Sequence, residues 1–436
     1  VKLFSTKDNS IRHRWSEAVL RGLAPDGGLY LPVEIPRLSG ATLAQLSELP
    51  FPHLAYELAK RFLSDEVPDA IIKEICASAF TFDVPLKKIS EQTHILELFH
   101  GPTCAFKDFG ARFMARLFRH FLGSSDRPLT VLVATSGDTG SAVANAFFDP
   151  STSPPIRVAI LFPKGKVSLV QEKQMTTLGH NVTAYEVDGT FDDCQALVKQ
   201  ALSDKEITSR QAFTSANSIN IARLLPQMFY YVYAALKISQ TGAPIFSVPS
   251  GNLGNLTGGI IGHLMGMPST HFIAACNINA PFPEYLRSGE YRPHASQETT
   301  SNAMDVGNPS NYVRLLSLYG NEIGSMRATI SGDRITDEET IATISKTFRE
   351  TGYVLDPHTA VGVLALERSR CQTRSTNPGL VLATAHPAKF ANTVTNAIGH
   401  EPEAPPQLAQ ALKKEGDKVP LRNSYAELQR QLATIG

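Results

Sequence analysis

The spacing of apolar positions changes character near residue 93. Before it, Ser16–Gly22, Leu43–Leu46, Leu54–Leu63 and Ala70–Ala77 carry helical spacing, interrupted by Gly22, Pro52, Pro68 and Pro85. A turn-rich loop, Gly22 to Pro32, separates the first two. Residues 1–92 therefore read as a separate, mostly helical domain. Beyond them, short β-branched or apolar runs alternate with helix-length segments. Strands are predicted at Ile95–Phe99, Thr130–Ala134, Arg157–Leu161, Val182–Val187, Ile245–Val248, Phe272–Cys276 and Leu380–Thr384. Helices are predicted at Phe106–Leu122, Gly140–Phe148, Val167–Leu178, Phe191–Leu202, Ile221–Ile238 and Asn255–Leu264. This alternation predicts parallel sheets covered by helices, an α/β protein with two sheets. Ala280–Tyr353 reads as less regular, with a loop at Asn302–Pro309, and a last helix is predicted at Ser424–Leu432.

Composition narrows the classes. The 436 residues exceed one ordinary core, so two or three domains are expected. Lys+Arg and Asp+Glu both number 41, which argues against a nucleic-acid binder. Five cysteines, none in a C-x-x-C pair, suit a reducing compartment and argue against a disulfide framework or a zinc site. A cytoplasmic protein without a metal is expected. The longest apolar candidate, Met228–Leu236, falls well short of the ~20 residues of a membrane span, and Val1–Lys7 has no signal-peptide pattern.

The chemistry gathers where strands end. In Glu97-Leu98-Phe99-His100-Gly101-Pro102-Thr103-Cys104-Ala105-Phe106-Lys107-Asp108-Phe109-Gly110, a strand is broken by Gly and Pro and a helix restarts. Lys107 opens that helix between aromatic residues, where the helix dipole and desolvation both disfavour its charge. A neutral amine there is a nucleophile for a carbonyl compound, a Schiff-base lysine; a surface lysine opening an amphipathic helix accounts for the same pattern. Thr135-Ser136-Gly137-Asp138-Thr139-Gly140 follows a strand and opens a helix, which suits a substrate carboxylate, although capping by Asp138 or Thr139 needs no ligand. Ser250-Gly251-Asn252-Leu253-Gly254-Asn255 offers a nest of N–H groups for a small phosphorylated cofactor. It has neither the Walker A residues nor the G-x-G-x-x-G spacing, and a tight turn packing a helix is the plain alternative. Asn217-Ser218-Ile219-Asn220-Ile221-Ala222-Arg223 sets amides, a hydroxyl and a phosphate-pairing Arg at a helix start, or else a capped helix with a solvated Arg. Thr384-Ala385-His386-Pro387-Ala388-Lys389 follows the last apolar strand; Thr384 is placed to meet a ring nitrogen, and His386 reads as structural. Asp356-Pro357-His358 is adequately explained as a turn. Together these describe a pyridoxal-phosphate enzyme whose substrate carries both a carboxylate and a phosphate.

The same residues, with Gly27-Gly28-Leu29-Tyr30 and Ser301-Asn302-Ala303-Met304-Asp305, resemble the threonine synthases of the longer bacterial and fungal type, over nearly the whole chain. The resemblance implies the tryptophan-synthase-β-like fold of fold type II enzymes. It implies a large domain from residues 93–108 and 235–400, a small α/β domain over 109–234, and a tail, 401–436, packing on the large domain. It implies Lys107 as the Schiff-base lysine and Gly251, Asn252, Leu253, Gly254 and Asn255 around the phosphate of pyridoxal 5'-phosphate, with Thr384 at its ring nitrogen. Thr135, Ser136 and Thr139 would take the substrate carboxylate; Asn217, Ser218 and Arg223, helped by Lys164, the substrate phosphate. Leu253 and Asn255 depart from the Phe and Asp frequent in that family. The implied reaction turns O-phospho-L-homoserine and water into L-threonine and phosphate, in a monomer or weak homodimer. A related pyridoxal-phosphate lyase or amino-acid dehydratase would use the same lysine and nest, but a dehydratase has no need of the Asn217–Arg223 cluster. A non-enzymatic binding protein would carry no lysine-bound cofactor.

Overall fold

The structure, a computed structural model, describes residues 1–123, 129–151 and 155–434. Near the N-terminus, β1 (Leu3–Ser5) and β2 (Tyr30–Pro32) pair antiparallel on either side of α1 (Trp15–Arg21). Helices α2 (Gly40–Ser47), α3 (Phe51–Leu63) and α4 (Asp69–Ala79) follow, each where apolar spacing predicts one. The face of α3 made by Leu54, Ala55, Leu58 and Phe62 is fully buried. It does not close a core of its own. Phe51 sets its ring 5.5 Å from both Phe109 and Tyr233, so the N-terminal segment shares one continuous core with the rest of the chain. The expected boundary at residue 92 also misplaces β3 (Leu86–Lys88), which pairs antiparallel with β4 (Thr93–Glu97) on the larger sheet. A three-residue edge strand ending in two lysines carries no alternation to read.

The chain then runs through α5 (Lys107–Leu122), β5 (Leu129–Ala134), α6 (Asp138–Phe147), β6 (Ile156–Pro163), α7 (Leu169–Thr176), β7 (Val182–Asp188), α8 (Phe191–Ser203), α9 (Lys205–Arg210) and β8 (Ala212–Ser215). After the short α10 (Ile221–Leu224) and α11 (Gln227–Ile238) come β9 (Ile245–Pro249), α12 (Gly254–Leu264) and β10 (His271–Cys276). The remainder holds α13 (Pro281–Ser288), α14 (Tyr312–Leu318), α15 (Ile323–Thr329), β11 (Ile330–Arg334), α16 (Asp337–Thr351), α17 (Pro357–Thr373), β12 (Gly379–Ala383), α18 (Ala391–Ile398), α19 (Pro406–Leu412), β13 (Val419–Arg422) and α20 (Tyr425–Thr434). Six strands in the order β11-β10-β9-β12-β4-β3 form one sheet and five in the order β13-β7-β6-β5-β8 form the other. All pairs are parallel except β3 with β4. The inner strands β5, β9 and β12 are buried on both faces, as continuous apolar runs in helix-covered parallel sheets require.

Three features depart from the sequence reading. Pro226 splits the single helix expected over Ile221–Ile238 into α10 and α11, because a proline supplies no N–H to the ladder. The expected domain boundary at 234/235 falls inside α11, which packs against α12 and against α2 and α3. The tail 401–436 joins the five-stranded sheet rather than the large domain: β13 pairs with β7, α20 packs on α8, and Lys418 reaches Glu172 and Glu186 at 2.8 and 2.7 Å. Leu421, Leu428 and Leu432 are buried in the core beneath that sheet, which supplies the driving force.

Candidate active site

Main-chain pairing between β12 and the segment after β4 places Lys107. Leu98 N–H donates to Ala383 O (3.0 Å), Phe106 N–H to Thr384 O (2.8 Å) and His386 N–H to Cys104 O (3.0 Å). Thr103 gives its N–H and its hydroxyl to the Asp108 carboxylate at 2.9 and 2.7 Å. A Cβ on Gly101 would lie 2.4 Å from Asp108 Oδ2, so only glycine lets this loop fold over the start of α5. Lys107 is then the first residue of α5, with Nζ 5.7 Å from the centre of the Phe106 ring. Burial, with smaller contributions from Arg223 and Lys389, lowers its amine to about 8 against the opposing pull of Asp138.

Every other candidate except Lys164 lines the same cavity between the two sheets: Thr135, Ser136 and Thr139; Asn217, Ser218 and Arg223; Gly251 to Asn255; and Thr384. Several have already committed their side chains. Thr135 Oγ1 accepts the N–H groups of Gly137 and Gly140 (2.9 and 2.8 Å), which folds its own loop. Asn217 ties β5 to β8, donating to Ala134 O at 2.7 Å and accepting from Ala134 N–H at 3.2 Å. Asn255 Oδ1 accepts the hydroxyls of Tyr230 and Tyr231 at 2.6 and 2.9 Å. Arg223 is buried, donates from Nη1 to Ala216 O (2.6 Å), and its buried Nε has no hydrogen-bond partner. Burial pushes its guanidinium down to about 10. Lys164 is exposed, on a turn with Gly165 at φ +69, and does not line the cavity. Its neighbour Lys166 lines an adjoining cleft and pairs with Glu298 there.

Two charges that sequence reasoning left aside stand beside Lys107. Asp138, first residue of α6, and Lys389, in the turn after β12, form a buried ion pair at 2.7 Å. Gln171 Nε2 donates to Asp138 (2.9 Å) and Lys389 Nζ donates to Thr103 O (2.9 Å). Burial opposes ionisation of Asp138, but Lys389 and then Lys107 hold it well below the usual carboxylate range. The pair thus joins the two sheets next to the lysine. His358 also lies on the wall, its Nδ1 on Asp356 (2.8 Å) and its Nε2 taking the Ala303 N–H (3.2 Å). Asp356, in a stretch that reads as a turn in the sequence, is the N-cap of α17. His386 caps the turn that follows it, accepting from Ala388 N–H (3.2 Å), and lies outside the cavity lining.

A phosphate-bearing aromatic cofactor fits this cavity. The first hydrogen bond within α12 runs from Thr257 N–H to Leu253 O, so the N–H groups of Gly254, Asn255 and Leu256 have no acceptor in the helix, and no side chain caps it. Leu253 adopts φ +60, the conformation that turns successive N–H groups inward. A Cβ at Gly251 would come 2.9 Å from Met304 Cα and push against the opposite wall.

The comparisons agree with that fit. A family model for pyridoxal-phosphate dependent enzymes matches residues 84–381, one for the threonine synthase N terminus matches 2–80, and one for the threonine synthase C-terminal region matches 359–432. The threonine synthase of Escherichia coli K12 is 42% identical over 94% of each chain. The chain belongs to the threonine synthase family. A crystal structure of threonine synthase from Escherichia coli superposes with a TM-score of 0.93 at 39% identity, covering 100% of both chains. A threonine synthase from Brucella melitensis with bound pyridoxal phosphate superposes at 0.91 with 35% identity, over 100% of this chain and 99% of that one. The chain is a fold type II, pyridoxal-phosphate-dependent enzyme, and no helix among its described residues is long and apolar enough to cross a membrane.

The lowered amine has a measurable consequence. An amine captures a carbonyl only in its neutral form, and the neutral fraction of Lys107 grows as pH rises through its pKa. The rate at which apoprotein takes up pyridoxal phosphate is therefore expected to rise with pH, to be half-maximal near 8 and to level off about one unit above it. A half-maximal rate only above about 10, the range of an ordinary lysine, would mean that burial does not act on this amine.

Proposed function

We propose that the chain converts O-phospho-L-homoserine and water to L-threonine and inorganic phosphate, by γ-elimination followed by addition of water at Cβ. The observation that supports this most is Arg223, a buried guanidinium that lines the same cavity as Lys107. A carboxylate and an amine are common to all amino-acid substrates of such enzymes. A buried guanidinium among the residues lining that cavity calls for a further anionic group.

The N–H groups at the start of α12 would hold the cofactor phosphate, and Thr384 would offer its ring nitrogen a neutral hydroxyl. Pyridoxal phosphate, when bound, supplies the electron sink that makes the substrate's carbon-bound protons removable. Ser136 and Thr139, with the backbone of the loop folded by Thr135, hold the substrate carboxylate. Arg223 and Ser218 hold the substrate phosphate, and Asn217 contributes by fixing the ends of β5 and β8 beneath them. Lys107 Nζ takes the proton from Cα and then from Cβ, and delivers one to Cγ. Its lowered pKa keeps an appreciable neutral fraction at neutral pH. Phe106, Phe191, Met304 and Val306 on the walls limit the access of water until it is needed at Cβ.

Incubation with O-phospho-L-homoserine, with threonine, 2-oxobutyrate and phosphate assayed together, tests the reading. Threonine and phosphate in equal amounts are expected; 2-oxobutyrate and phosphate without threonine would overturn it in favour of a lyase. Arg223→Ala is expected to lower kcat/KM for the phosphorylated substrate by about 30- to 1000-fold, equivalent to ~2–4 kcal/mol for a buried charge pair. An unchanged kcat/KM would remove Arg223 from the substrate site.

A further inference from the structure

Outside the residues that touch the cavity, the structure contains a second buried arginine. Arg314, on α14, is fully buried, and burial lowers its guanidinium to about 9, so it remains a cation at neutral pH. Its acceptors are all neutral. Nε donates to Tyr30 O of β2 (3.0 Å), Nη1 to Ser218 O (2.9 Å) and to Asn311 Oδ1 (2.7 Å), and Nη2 to Ile219 O (2.6 Å). Asn311 extends the pattern. Its Nδ2 donates to Ser218 Oγ (3.1 Å) and to Asn252 O (2.9 Å), and its N–H reaches Asn252 O at 3.3 Å. A Cβ on Gly254, the first residue of α12, would lie 3.3 Å from Ser218 Cβ and 3.4 Å from Asn311 Nδ2.

We propose that Arg314, through Asn311, is a positioning residue that clamps the two phosphate-facing loops of the cavity, 218–219 and 252–254, to each other and to the N-terminal segment, so that recognition of phosphate groups depends on it. Two chain segments far apart in sequence, at Tyr30 and at Ser218–Ile219, present carbonyl oxygens to one planar fork, and Asn311 adds its side-chain oxygen. A lysine, with a single point of charge, does not span that arrangement. A buried cation is costly unless its hydrogen bonds are complete and charge of opposite sign is near. The carbonyl acceptors meet the first need, and anionic phosphate at the loops it holds meets the second. The N-terminal segment thereby gains a role at the site without lending it a side chain: it supplies the Tyr30 carbonyl.

The assignment of the 218–219 loop rests on the substrate reading above; that of the 252–254 loop rests on the cofactor alone. The test therefore uses the cofactor. Apoprotein of wild type, Arg314→Gln, Arg314→Lys and Asn311→Ala is titrated with pyridoxal phosphate and with pyridoxal, which lacks the phosphate, and inorganic phosphate is added as a competitor. Far-ultraviolet circular dichroism checks folding. Affinity of Arg314→Gln for pyridoxal phosphate is expected to fall at least about tenfold while that for pyridoxal changes less than about threefold, with competition by phosphate weakened in parallel. Asn311→Ala is expected to move the same way, and Arg314→Lys not to restore the wild-type value. Equal losses for the two ligands would indicate a general packing role and overturn the proposal, as would wild-type affinity in Arg314→Gln. If Arg314→Gln does not fold, Asn311→Ala decides by the same comparison. Failure to make threonine from O-phospho-L-homoserine, with the preference for the phosphorylated cofactor still dependent on Arg314, would sink the substrate reading and leave the clamp standing.

Discussion

Lys107→Ala is expected to lower turnover by at least about 10⁴-fold and to abolish the visible absorption of lysine-bound cofactor. Two losses coincide in this substitution. The proposed covalent anchor goes, and so does the amine proposed to take protons from Cα and Cβ. Nearby groups offer no replacement. Asp138 is committed to Lys389 and Gln171, His358 has both ring nitrogens engaged, and Arg223 stays charged. Absorption spectra and a single-turnover assay read the two losses separately. A variant that kept the absorption band and measurable turnover would move the anchor to another lysine.

Lys389→Met is expected to cost about 3–5 kcal/mol of stability near neutral pH, because it leaves Asp138 buried without its main counter-charge. The pH dependence gives the effect a sign. In the wild type Asp138 is held below the usual carboxylate range. Its stabilising contribution is present above the unfolded value of about 3.9 and disappears only as pH falls through the lower folded value. In the variant, burial dominates and raises the carboxyl instead. The folded state then binds a proton that the unfolded state has released, so the stability deficit grows with pH. Urea unfolding of both proteins at about pH 5 and about pH 8 should show the larger gap at the higher pH. Adding Asp138→Asn should recover much of it. A deficit below about 1 kcal/mol, or one larger at the lower pH, would show that the pair is not the strap between the sheets.

Much of this site is written locally in the chain. Strand, break and helix around Lys107 are legible because Gly101 and Pro102 punctuate an apolar run and the aromatic residues of α5 return at helical spacing. The loops at Thr135–Gly140 and Gly251–Asn255 are legible for the same reason, each being a strand end followed by glycine and a helix. What escaped is of two kinds. Helix α17 is buried on nearly every side in its first half and polar throughout its last turns, so no single apolar stripe marks its period; α16 did carry a signal, the Thr336 and Glu339 capping box, in a stretch that reads as turns. Long-range pairings form the second kind. Nothing local joins Asp138 to Lys389, or Arg314 to Tyr30, because each contact exists only once two separate segments have packed. The position of Lys164 was equally closed, since it is Lys166 that lines the adjoining cleft.

The place of β13 bears on how the protein is made. Its side of the five-stranded sheet waits for a segment that arrives late, since Lys418 and Glu186 are 232 residues apart. At roughly 5–20 residues per second of synthesis, the outer edge of β7 stands open for on the order of ten seconds or more on the ribosome. An uncovered strand edge is a template for pairing with another chain. During that interval the nascent enzyme is exposed to self-association and to chaperones, and only the arrival of 419–422 ends it.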